Sequence, residues 1–170
     1  MKTLLTRSAR AGATKPRRAQ LQRILAAVDF SEESRGALEL AARLAARFDA
    51  SLALVHLVEP VFGPSDVALI SMTGAWSPER LMEQATVELR ELRARMPVAC
   101  RVVETTVRSG IAFFEITEAA KALGADLIVI GTHSYTGIKR ALLGSTAEKV
   151  LRHAPCPVLV VRGPQPEVGV

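Results

Sequence analysis

The sequence predicts an α/β protein, a five-stranded parallel sheet with helices on both faces. Three observations carry this. Apolar runs alternate with helical patterns along the chain, the rhythm of a sheet whose strands are joined by crossover helices. The runs DLIVI, PVLVV and SLALVHLV are nearly continuous rather than alternating, as strands covered on both faces require. Finally, DLIVI runs into Gly131, and the polar loop after it feeds a helix start.

The elements follow in order. Leu21 to Val28 is a strand that stops at Asp29. Phe30-Ser31-Glu32-Glu33 opens a helix, with Ser31 as N-cap and acids in the first turn. Leu38, Ala41, Ala42, Ala45 and Phe48 form its apolar stripe. Ser51 to Val58 is the second strand. Residues 59–76 break every periodicity and read as a long loop, a length associated with lids or disorder. Ser77-Pro78-Glu79 starts a long helix reaching about Met96. Ala99 to Val107 alternates enough to be an edge strand, Arg108-Ser109-Gly110 turns the chain, and Ile111 to Leu123 is the next helix. Asp126 opens the fourth strand, Thr146 to His153 is a short helix, and Pro157–Val161 is the fifth strand.

The first and fourth strands are the most apolar and belong side by side in the centre. With right-handed crossovers the order becomes 3-2-1-4-5. Chain direction then reverses between strands one and four, and open α/β sheets bind ligands at the carboxyl ends beside such a switch point. The strand ends there are Asp29 and Gly131. Glycine permits a turn with φ > 0 and a close backbone approach to a ligand, and the free N–H groups of a helix's first turn attract anions.

The stretch GTHSYTGIKRALLGSTAEKVLRHAPCPVLVV, together with AAVDFSEESRGALELAARLA upstream, resembles the universal stress protein family over roughly residues 22 to 162. ATP-binding members of that family carry G-x2-G-x9-G-[S/T]. Here Gly131 and Gly144-Ser145 fit, while Ser134 stands where the second glycine belongs. The resemblance implies a Rossmann-like fold of the adenine nucleotide alpha hydrolase type, the same strand order, and ATP or AMP as ligand, with or without Mg2+. It places main-chain contacts at Ala27 and Val28, a polar contact to adenosine at Asp29 and an adenine wall at Leu57. Gly110, Ile130, Gly131, Thr132, His133, Ser134, Gly144, Ser145 and Thr146 complete the implied site. For Asp29 the other reading is an ordinary cap on the following helix. For the glycines it is simple turn geometry. Ser134 adds a Cβ and a hydroxyl toward the phosphates and bears on triphosphate binding.

An open, apolar fifth strand is an aggregation hazard. The family pairs it with its copy in a second subunit, which implies a homodimer through Pro157–Val161. The C-terminal tail GPQPEVGV is the other candidate cover.

Other chemistries are disfavoured. No Gly-Lys-[Ser/Thr] closes the loop, so it is not a Walker A sequence. His56, His133 and His153 do not converge into a zinc site. His56 reads as a satisfied core histidine, and His153 as a cation at a helix end. Cys100 and Cys156 read as reduced structural thiols of a cytoplasmic protein. The 170 residues suit one domain, 22–163. They carry 22 basic and 17 acidic groups. Seven of the basic ones fall before residue 24, leaving 15 against 17, or −2, for the remainder. Residues 1–21 thus read as a disordered basic extension, without the apolar core of a secretory signal, and 164–170 as a flexible tail. The extension interleaves no aromatic residue for stacking on bases, so specific nucleic-acid binding is not expected. No apolar run is long enough for a membrane helix. The leading function is a nucleotide-binding stress-response module that is not an enzyme. The alternatives are a dimeric, chaperone-like interaction protein without nucleotide and, after it, a slow ATP hydrolase.

Overall fold

The computed structural model of the chain describes residues 21–59, 77–96, 101–132 and 143–162. Five strands, β1 (Arg23–Val28), β2 (Ser51–Val58), β3 (Val102–Ser109), β4 (Leu127–Gly131) and β5 (Val158–Val161), form one sheet in the order β3-β2-β1-β4-β5. Every pairing is parallel, from Arg23 opposite Ser51 to Gly131 opposite Val161. The expected order and the central place of β1 and β4 hold. Ile128 and Val129 are fully buried, as is Leu52 on β2. Burial of each such side chain is worth about 1.5–3 kcal/mol.

Helices α1 (Glu32–Phe48) and α2 (Pro78–Ala94) cover one face, and α3 (Ala112–Leu123) and α4 (Ser145–His153) the other. Strand alternation supplies both cores. Ile24, Ala26, Val28, Leu52 and Leu54 meet Ala37, Leu38, Ala41 and Ala45 of α1 and Leu89 of α2. Leu25, Ala27, Val55, Ile128 and Ile130 meet Ile116, Ala119 and Ala120 of α3 and Ala147 and Val150 of α4.

Four details differ from expectation. Phe48 is 55% exposed, because it lies at the flank of the α1 stripe, one residue before Asp49 ends the helix in the left-handed region. Phe30 does not begin α1 but is itself left-handed, with φ 63°. Arg108 and Ser109 are not turn residues, since β3 continues through them, paired with Leu57 and Val58. Ile111 precedes α3 as its N-cap and is not its first residue.

At the amino end of the sheet, Asp126 Oδ2 accepts the amides of Gln22 and Arg23, each at 2.9 Å. That carboxylate seats the start of β1 beside β4. Among the described residues no helix is long and apolar enough to cross a membrane.

Candidate functional site

The carboxyl ends of β1 and β4 lie side by side, Ala27 opposite Ile130, with Val28 opposite His56 on β2. The expected switch point between these two strands is therefore present. Ala27, Leu57 and Ile130 share the α3/α4 face and pack in one cluster. Val28 faces α1. Asp29, just beyond β1, leads into a tight turn.

That turn is built around Asp29. Its Oδ1 accepts the Ser31 amide at 3.1 Å and the Ser31 hydroxyl at 2.5 Å. Ser31 Oγ in turn accepts the Ser34 amide at 3.1 Å, so Ser31 is the N-cap of α1. The helix-start reading of Asp29 holds indirectly, through Ser31. One oxygen organises the helix start, and Oδ2 makes no hydrogen bond among the described residues. Phe30 enters the left-handed region, an arrangement costing roughly 1–2 kcal/mol for a non-glycine residue. Its ring lies 4.3 Å from that of His56, tilted by 31°. His56 Nδ1 sits 2.8 Å from the Val28 carbonyl oxygen. A carbonyl only accepts, so Nδ1 carries the proton and Nε2 the lone pair of the neutral ring. Burial holds the His56 pKa below its ordinary value, against opposing pulls from the Val28 carbonyl, Asp29 and Glu88. His56 is thus a satisfied, half-buried histidine.

Gly131 carries no positive φ. It is required by proximity instead: a Cβ there would stand 3.2–3.3 Å from the backbone of Glu33 and Ser34. The first turn of α1 rests directly on it. Thr132, buried, donates its amide to Val161 at 3.0 Å, and its carbonyl accepts the Gly144 amide at 2.8 Å. The two ends of the loop are thereby clamped together. His133 and Ser134 lie outside the described residues, as does the Cys100 thiol.

Four helices begin at this edge of the sheet, and three starts are occupied by the chain's own oxygens. Ser31 caps α1, and Ser77 caps α2 at 3.1 Å from the Arg80 amide. Glu59 Oε1 accepts the Ala112 amide of α3 at 3.2 Å. At α4, Gly144 is the N-cap and no side chain caps it among the described residues. Ser145 and Thr146 follow in its first turn. This is the helix end with donors to offer an anion. Gly110 closes β3 with φ 149°, donating its amide to Val58 at 3.3 Å. It stands beside the Glu59-capped start of α3, at the end of the edge strand β3. Among the described residues no group of three or more His, Cys, Asp or Glu side chains could hold a metal.

Sequence reasoning missed two residues. Glu59 carried no signal, because its partner is 53 positions away. Phe30 carried one in hindsight, since the chain must turn sharply between the β1 terminus and the Ser31 cap.

The universal stress protein family model matches residues 20–162. A universal stress protein of Methanocaldococcus jannaschii is 34% identical over 150 residues, 86% of this chain and 85% of that one. A universal stress protein A homologue of Coxiella burnetii is 36% identical over 142 residues, covering 83% and 94%. Among solved structures, UspA of Lactobacillus plantarum superposes with a TM-score of 0.65 at 28% identity, over 84% of this chain and 99% of that one. A universal stress protein solved in complex with cAMP gives 0.62 at 26% identity, over 85% and 99%. Fold, strand order and these likenesses agree, and the chain belongs to the universal stress protein family.

Proposed function

We propose that the protein is an adenine-nucleotide-binding module of the stress response, taking ATP or AMP at the β1/β4 crevice. The observation that carries this is the α4 start: a helix N-terminus without a side-chain cap among the described residues, set beside the strand ends of the switch point. Ala27, Val28 and Asp29 would hold the nucleoside against Leu57. Gly131, Thr132 and the Gly144-Ser145-Thr146 turn would hold phosphate, with Gly110 and Ile130 bounding the site. The cAMP complex of a relative supports a nucleotide of this class. Mg2+, if it accompanies ATP, would sit on the phosphates, since the described residues supply no metal cluster.

In this reading the protein is a cytoplasmic regulator and not an enzyme beyond slow ATP hydrolysis. It works as a homodimer through β5. That strand is an edge of the sheet with all four residues half-exposed, which supports pairing with a second copy. Sedimentation velocity reads the dimer directly.

The test of nucleotide binding is thermal melting with ATP–Mg2+ and with AMP. Ligand at 100 times its dissociation constant adds about 2.7 kcal/mol of stability. Asp29→Ala and Gly144→Val should reduce the shift, and Cys156→Ser should not. No shift with either nucleotide would favour the chaperone-like alternative.

A further inference from the structure

We propose that His56 and Phe30 together form the positioning element for Asp29, so that His56, which lies on the far face of the sheet from the nucleoside wall, sets how Asp29 meets the nucleoside. The proposal rests on the nucleotide-binding reading above and assigns roles to two residues beyond it.

The geometry runs through one turn. Phe30 is a bulky residue in a backbone region it does not favour, with φ 63°. Such a conformation persists only where its surroundings over-determine it. Against its ring packs that of His56 at 4.3 Å, and the His56 ring is itself tied to the Val28 carbonyl at 2.8 Å. The clamp therefore starts and ends on the two residues flanking Asp29. Phe30 packs into the α1/α2 core, whereas Ala27 and Leu57 pack into the α3/α4 core. Held in this way, the turn commits Asp29 Oδ1 to Ser31 and leaves Oδ2 for a ligand hydroxyl.

The charges around His56 extend the argument. The end of β1 brings Asp29, and α2 brings Glu88, the two charged groups that act on the ring. From β3 its register partner is apolar Val107, and α1 turns Ser34, Ala37 and Leu38 to this core. Both neighbouring charges are negative. A protonated His56 would draw the Asp29 carboxylate toward itself and away from a nucleoside.

The test is a double-mutant cycle with AMP, read by titration calorimetry on the full chain. His56→Leu keeps apolar bulk but loses the donor to Val28. Phe30→Gly adopts φ 63° without strain but loses the ring and its core packing, so its folding is verified by circular dichroism before titration. Each should weaken AMP about fivefold to tenfold, the effect on the order of one coupled contact. In an Asp29→Ala background neither should weaken it further. Adenosine, uncharged between about pH 5.5 and 8, supplies the second readout. Its affinity should fall about threefold or more in wild type as the solution is made more acid than the ordinary histidine value of about 6.5, and stay level in His56→Asn. Losses that multiply with Asp29→Ala, or a wild-type profile as level as that of His56→Asn, would overturn the assignment. Nucleotide binding by wild type with either of these results leaves the site standing and removes only the positioning role. No binding by wild type removes both.

Discussion

Gly131 and Glu33 touch through their backbones: a Cβ built on Gly131 would stand 3.2 Å from the Glu33 carbonyl carbon and 3.3 Å from its oxygen. Neither group can swing aside, since both belong to packed main chain. Gly131→Ala is therefore expected to destabilise the protein by about 1–3 kcal/mol, as overpacking does. Urea unfolding should show a lower midpoint with an unchanged slope. A midpoint equal to wild type would mean α1 does not rest on β4 this closely.

Ser31 joins two functions in one hydroxyl, capping α1 and holding Asp29. Ser31→Ala should cost about 1–2 kcal/mol of stability. Ser31→Asp restores a cap acceptor but places a second carboxylate beside Asp29, so it should recover only part of the loss. Full recovery would show that the cap alone matters.

His56 makes stability depend on pH with a definite sign. Burial lowers its pKa in the fold. Between that value and about pH 6.5, the unfolded chain binds more protons than the folded one. Stability thus rises with pH through this window and is lost as the solution becomes more acid. His56→Asn should flatten the slope of unfolding free energy between about pH 5 and 7 relative to wild type. An identical slope in both proteins would assign the acid sensitivity elsewhere.

Cys156 behaves in the opposite sense. Burial first, and the Asp126 carboxylate second, raise its pKa. The folded chain keeps the thiol proton to higher pH than the unfolded chain does. Stability is complete below about pH 9 and falls as pH rises toward the folded value. At pH 8 the thiolate is scarce, so a disulfide reagent should modify native Cys156 far more slowly than the urea-unfolded chain. Equal rates would refute the shielding.

How much of this was legible in the sequence depended on the distance between cause and effect. DLIVI and SLALVHLV announce buried strands because the signal is local and repeats along the run. Ser31 and Ser77 announce helix starts for the same reason. Phe48 misled because its spacing continued the α1 stripe while the helix was about to end, and only the sheet's width decides which flank positions are covered. The left-handed Phe30 went unread although the chain must turn sharply there, and its ring partner His56 lies 26 positions later on β2. Gly131 was singled out for a turn with φ > 0 and for close approach; its φ is not positive, and the backbone that comes close is that of α1. The neighbouring strand ends at Asp29 and Gly131 followed from topology, whereas Leu57 and Gly144 were named only through the family resemblance. The occupation of the α3 start by Glu59 showed only once the strands were placed.

Thr132 spends both halves of its main chain on different neighbours, its amide on Val161 and its carbonyl on Gly144. One residue therefore belongs at once to the sheet's outer strand and to the mouth of the loop. The edge strand β5 and the start of α4 are thus joined through the main chain of this one residue, so a shift of β5 against β4 bears directly on where α4 begins.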